Sequence, residues 1–242
     1  MKQFLIIQTA FLGDAVLATA LLEKLHVFYP DAAIDLVVRK GNEPLFDDHP
    51  FLRKLHVWDK RTGKTRKLFE LITALRKTKY DHVINCQRFF STGLMTLRTR
   101  STEKIGYDKN PLALFFDRVV KHRIPLPISI RPYDPDLQHE HAHEVDRLND
   151  LIEHLTDASR PLPRLYPNEK HHEELQGHMA TWAHDHMPRG YVCVAPASVW
   201  YTKQWPAEKW VALIKQLPAD RQVAPIGAPG DLALCERIAR DA

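Results

Sequence analysis

The sequence predicts an α/β protein: a Rossmann-like parallel-sheet domain followed by the first part of a second one. Three observations carry this. Residues 4–8 are a short apolar run, residues 15–29 repeat apolar side chains at helical spacing, and residues 34–38 are apolar again. Strand, helix and strand in such a short stretch form a βαβ unit, which implies parallel pairing. The same alternation restarts at Tyr191. Between the two lie proline-rich stretches, which divide the chain into 1–165 and 166–242.

Taken in order, the first run, Phe4-Leu5-Ile6-Ile7-Gln8, reads as a fully buried strand. Its helix carries Val16, Leu17, Ala20, Leu21, Leu25 and Phe28 on one period and stops at Pro30-Asp31. Residues 44–50 read as a short helix and turn, 52–58 as an alternating strand, 60–67 as a dense basic run and 68–75 as a helix. Residues 80–86 are a strand ending in polar groups, 87–102 a loop and helix, and 104–107 a short strand. Four prolines (125, 127, 132 and 135) make 125–135 extended loop. Residues 139–156 show amphipathic helical spacing, and 160–164 (RPLPR) has the look of an inter-domain linker. In the second half, 169–186 reads as helix, 191–195 as strand, 207–217 as helix, 222–226 as strand, 227–230 as turn and 232–240 as helix.

Composition narrows the class. Apolar residues make up 44% and charged residues 26% of 242, which is ordinary for a globular protein. A net charge of +4 falls far short of a dedicated nucleic-acid binder but suits phosphates or an anionic membrane face. Cys86, Cys193 and Cys235 are odd in number and widely spaced, so no disulfide framework is expected and a reducing cytoplasm fits. Neither a secretory signal nor an apolar run of about 18 residues is visible.

Five constellations could carry chemistry. In Leu12-Gly13-Asp14 a strand meets a helix start, where backbone N–H groups are unpaired and a carboxylate is favoured. Gly13 is expected to allow a sharp turn. Asp14 is then either a helix cap or a catalytic carboxylate. The loop 195–206 places Ser198, Thr202 and Lys203 after a strand, which suits phosphate oxygens, although no Walker loop is present. It reads equally as an ordinary aromatic-rich loop. Gln87 and Arg88 follow another strand end and could line the same cleft as Asp14, with Arg88 suited to phosphate. His139-Glu140-His141-Ala142-His143 matches H-E-x-x-H, a zinc pattern when helical, but no third ligand is signalled. The basic run 60–67 is a solvated face or a patch for an acidic acceptor or lipid headgroups.

Read together, "FLIIQTAFLGDAVLATALLEKL", "VAPASVWYTKQWPAEKWVALI" and "PIGAPGD" resemble the lipopolysaccharide heptosyltransferase family, glycosyltransferase family 9. So do "HVINCQRFFSTGLMT", "KIGYDKNP" and "HEVDRLNDLI". The resemblance implies a GT-B-like architecture, with an acceptor-binding domain at 1–165 and an incomplete donor-binding domain at 166–242. It implies an inverting transferase that needs no metal or other cofactor. Such an enzyme moves heptose from ADP-heptose to the lipid A–inner core acceptor of lipopolysaccharide at the cytoplasmic side of the inner membrane. Asp14 would be the general base, Lys203 would neutralise the donor diphosphate, and Thr202 and Ser198 would hydrogen-bond phosphate. Two departures stand out. The family's Pro-Gly-Ser is here Pro196-Ala197-Ser198, and its Asp-x-Gly-x-x-His donor segment is expected beyond Gly230, whereas the sequence ends at Ala242. The alternative is therefore a truncated or non-catalytic acceptor-binding module. A GT-B epimerase and a zinc hydrolase are more distant alternatives.

Overall fold

A computed structural model describes residues 1–123, 143–182, 190–218 and 221–242. They divide into two compact units, Met1–Asn168 and Glu169–Ala242.

The first unit is a six-stranded parallel sheet in the order β3-β2-β1-β4-β5-β6. Its strands are β1 (Gln3–Ile7), β2 (Ala33–Arg39), β3 (Leu52–Trp58), β4 (Lys79–Asn85), β5 (Arg100–Tyr107) and β6 (Arg118–Val120). The helices are α1 (Leu12–Phe28), α2 (Lys64–Leu75), α3 (Phe90–Arg98) and α4 (Glu144–Asp150). β1 is central, and Phe4–Ile7 within it are apolar and fully buried because both its faces are covered. Its alternate residues feed two cores. Phe4 and Ile6 pack with Leu21, Leu22 and Leu25 of α1, whereas Leu5 and Ile7 pack with Leu68, Ile72 and Leu75 of α2.

Helix α1 is buried on nearly every side, because the sheet covers one face and α4 with its following segment covers the other. Lys24 on α1 is 4% exposed, and its ammonium donates to Asn149 Oδ1, Asp157 O and Ser159 O within 2.8 Å. Tyr29 Oη donates to Leu155 O, and Arg164 N donates to Thr19 Oγ1. The proline-rich stretch 160–164 therefore lies along α1. A second buried polar group, Asp35 on β2, holds the strands together. Burial raises its carboxyl, but the nearby His56 imidazole and hydrogen bonds from Arg53 and Tyr80 outweigh that and hold it well below the usual carboxylate range.

Several expectations change. Helix α1 starts at Leu12, so Gly13 and Asp14 lie inside its first turn and no tight glycine turn exists there. Gly13 is not among the glycines with positive φ, and a Cβ built on it meets nothing within 4 Å. The N-cap is Phe11 without a side-chain cap, so Asp14 does not cap the helix. Among the described residues of the expected helix 139–156, Glu144–Asp150 are α-helical, followed by a 3₁₀ turn, Glu153–Leu155. His143 is the extended N-cap of α4, and its Nδ1 accepts from Val145 N, so it occupies no helical zinc-binding face. His139, Glu140 and His141 lie outside the described residues. β5 is longer than expected, and β6 was not anticipated.

The second unit carries α5 (Glu169–Trp182), β7 (Tyr191–Val194), α6 (Ala207–Ile214), β8 (Gln222–Pro225) and α7 (Leu232–Asp241). β7 and β8 pair in parallel, the second βα alternation that the sequence predicts.

Candidate active site

The sheet order of the first unit reverses between β1 and β4. In open α/β sheets the crevice at that point, outside the carboxyl ends of the strands, is where ligands bind. A cleft of ≈ 550 Å³ lies there. One wall is the β1–α1 connection, with Thr9, Ala10, Phe11 and Asp14. The other is the β4–α3 connection, with Cys86, Gln87, Arg88 and Phe89. Asp14, Gln87 and Arg88, all picked out from sequence, thus share one cleft. Gly13 is a neighbour of Asp14 and does not line it.

Asp14 stands in the first helical turn, where N–H groups have no intrahelical partner. Asp14 is partly buried, and among the described residues its carboxylate takes part in no hydrogen bond or ion pair. Around it the walls are braced from outside the cleft. Gln87 Nε2 donates to Gln8 Oε1, Gln87 N to Asn85 Oδ1, and Asn42 Nδ2 to Ala10 O. Asn110 is 3% exposed, and its amide nitrogen donates to both Gln87 O and Phe89 O.

Cations dominate the lining: Arg39, Lys60, Arg88 and Arg147, against Asp14 and Glu144. Glu144 is already paired with Arg147. Lys60 Nζ donates to Thr9 O (2.6 Å) and Thr9 Oγ1 (3.1 Å) and sits 4.7 Å over the Trp58 ring. Burial, with the nearby Arg39 and Lys64 charges, lowers its pKa to about 8. Burial also lowers the His122 imidazole, helped by Arg147 and Arg88, which favours its neutral form. The Cys86 thiol is pushed up to about 12 by burial and is no nucleophile near neutral pH. Tyr107, likewise raised by burial, donates its hydroxyl to Arg147 O. Among the described residues the cleft therefore offers one free carboxylate beside a surplus of positive charge. That set suits an anionic ligand carrying a hydroxyl to be deprotonated.

Sequence reasoning missed Arg39, His122, Glu144 and Arg147, and placed Lys60 only in a generic basic run. Arg39, Lys60 and His122 stand at or just after carboxyl ends of strands, a signal that was available. Arg147 comes from α4 and carries no such signal.

In the second unit, Ser198, Thr202 and Lys203 follow β7. Ser198 Oγ accepts from Trp200 N, and Gln204 Nε2 donates to Ser198 O at 2.6 Å. Thr202 and Lys203 sit on a 3₁₀ turn, Tyr201–Lys203, with exposed side chains that make no hydrogen bond among the described residues.

Comparison with known proteins bears on the family and the fold. The model of glycosyltransferase family 9 (heptosyltransferase) matches residues 68–241. Lipopolysaccharide heptosyltransferase 3 of Escherichia coli (strain K12) is 25% identical over 244 residues, covering 94% of this chain and 64% of that protein. The chain spans less than two thirds of the length of the curated relatives it matches first. A family 9 glycosyltransferase structure from Veillonella parvula DSM 2008 superposes with a TM-score of 0.80 at 19% identity, covering 99% of this chain and 67% of that one. E. coli heptosyltransferase WaaC, solved with ADP, gives a TM-score of 0.69 at 20% identity over 98% and 72%. At these identities the structural likeness establishes the fold, a GT-B-type α/β architecture.

Proposed function

This chain belongs to glycosyltransferase family 9, and from that premise we propose that it takes part in transfer of heptose from ADP-heptose to the lipid A–inner core acceptor of lipopolysaccharide. The observation that carries the reading is Asp14: an unpaired carboxylate in the first turn of α1, in a cation-lined cleft at the sheet's switch point. One structure of WaaC holds ADP and another ADP-2-deoxy-2-fluoro heptose, which supports a nucleotide-sugar donor here.

In this mechanism the acceptor hydroxyl oxygen attacks the anomeric carbon of heptose and gives its proton to Asp14. The bond from that carbon to the diphosphate oxygen breaks, and ADP leaves with the electron pair. Direct displacement inverts the anomeric centre. A positioned base makes the weak hydroxyl nucleophile competent, while fixed positive charge stabilises the developing diphosphate. Lys203, with Thr202 and Ser198, supplies that charge and those hydrogen bonds. Arg88 and Gln87, with Lys60 and Arg39, hold anionic groups of the acceptor. No metal is assigned a part. The first unit is the acceptor side and the second contributes to the donor side. The setting is the cytoplasmic face of the inner membrane.

The test is Asp14→Asn in the full-length protein. A kcat loss on the order of 10²–10⁴ is expected for a lost general base, with unchanged circular dichroism and unchanged ADP binding by calorimetry. Near-normal turnover by the folded variant would sink the assignment. So would product NMR showing retention at the anomeric carbon.

A further inference from the structure

The two helices that flank the cleft begin in an unusual way. Helix N-caps are normally Ser, Thr, Asp or Asn, whose side chains satisfy the first free N–H groups. Here α1 is capped by Phe11 and α3 by Phe89, and neither side chain makes a capping bond. Each is followed by a second large apolar residue, Leu12 and Phe90. All four are more than half exposed: 56%, 54%, 57% and 57% in chain order. Phe11 and Phe89 line opposite walls of the cleft. Places where a local rule is broken without a gain in packing are commonly functional.

We propose that this apolar rim is a membrane-docking edge. Phe11, Leu12, Phe89 and Phe90 enter the headgroup layer of an anionic bilayer, and the cleft cations meet its phosphates. The inference rests on the reading that the acceptor is borne on a lipid. Three features favour a bilayer as the occupant. Exposed aromatic and aliphatic side chains gain free energy at the headgroup boundary, whereas in water they stay hydrated at a cost. Arg39, Lys60 and Arg88 stand beside them, and the Arg39 guanidinium lies 4.7 Å over the Phe11 ring, so an apolar wedge and positive charge are presented together. A second copy of the same edge would set these cations against each other, which disfavours self-pairing.

Cosedimentation of the full-length protein with vesicles of equimolar phosphatidylglycerol and phosphatidylcholine tests the proposal, with no donor present. The wild type is expected to bind these vesicles and to bind pure phosphatidylcholine less. The double variant Leu12→Ser/Phe90→Ser touches neither cleft wall. It should lower partition by about 10-fold or more, since two large side chains lose their apolar burial. Phe69→Ser on α2, 52% exposed in the wild type, should partition as the wild type does. Circular dichroism and melting of each variant exclude a folding loss. Absence of wild-type binding overturns the proposal, as does equal partition of the double variant. A wild-type dimer that the double variant abolishes would overturn it too, because a second copy would then cover the rim. Partition and transfer fail separately. Rim-dependent binding without heptose transfer would sink the proposed function alone, and transfer with unchanged partition would sink the docking edge alone.

Discussion

The ammonium of Lys60 is half-buried at the carboxyl end of β1, where two of its protons go to Thr9. With its pKa lowered to about 8, it releases a proton well before an exposed lysine does. The free amine is the reactive form, so the sign of the effect is clear. At pH 8 an amine-acylating reagent should label Lys60 ahead of exposed Lys64, and the Lys60 rate should level off above that pH. Peptide mapping by mass spectrometry reads both rates, and equal labelling at pH 8 would contradict the burial argument. At this scale the site was only partly legible. Gln87 and Arg88 follow β4 closely and Asp14 lies one short connection beyond β1, and strand ends are where α/β sites form. Lys60 stands just after the carboxyl end of β3, but the seven basic and polar residues that follow it look like solvated surface and mask that signal. Arg147 was illegible for another reason: α4 is distant in sequence and reaches the cleft only through tertiary packing.

Elements position these side chains, and the loop beneath Phe89 depends on a space that only glycine leaves. A Cβ on Gly93 of α3 would stand 2.3 Å from Asn110 Oδ1. The Asn110 amide in turn holds the Gln87 and Phe89 carbonyls. Gly93→Ala therefore cannot be absorbed without displacing a buried, fully engaged amide. Overpacking of this kind costs about 1–3 kcal/mol, which should appear as a lowered denaturation midpoint. Because the displaced loop forms a cleft wall, affinity for acceptor should fall together with stability. A Gly93→Ala protein with wild-type midpoint and acceptor KM would show that the loop yields freely. The glycine that sequence reasoning chose, Gly13, has no such constraint. The start of α1 was misplaced because Phe11 and Leu12 look like loop rather than helix opening, which is the same irregularity that exposes them. β1 was readable because an uninterrupted apolar run such as Phe4–Ile7 has few alternative structures. β6 was not, since Arg118-Val119-Val120 is a short edge strand with two exposed residues.

At the scale of the molecule, the two units differ in how much apolar surface they enclose. The first has two cores, one on each face of a six-stranded sheet. In the second, Val194, Pro196 and Ile238 are the buried apolar residues among those described, whereas Trp200, Trp205, Ile226 and Leu232 are 45–62% exposed. A two-stranded sheet with so little cover is marginal in water, and the entropy of ordering each residue must still be met by burial. The repeated βα alternation made the second unit's elements readable from sequence, but alternation reports local period and not how completely a sheet is covered. The consequence is testable by dividing the chain at the boundary of the units. Residues 1–168 should unfold in one cooperative transition, since both cores lie within them. Residues 169–242 should show no sigmoidal melt by circular dichroism, and their amides should exchange with little protection. A cooperative transition in the shorter piece would mean that its helices and two strands bury more than their side-chain exposures indicate. Loss of cooperativity in 1–168 would mean that its cores need the second unit.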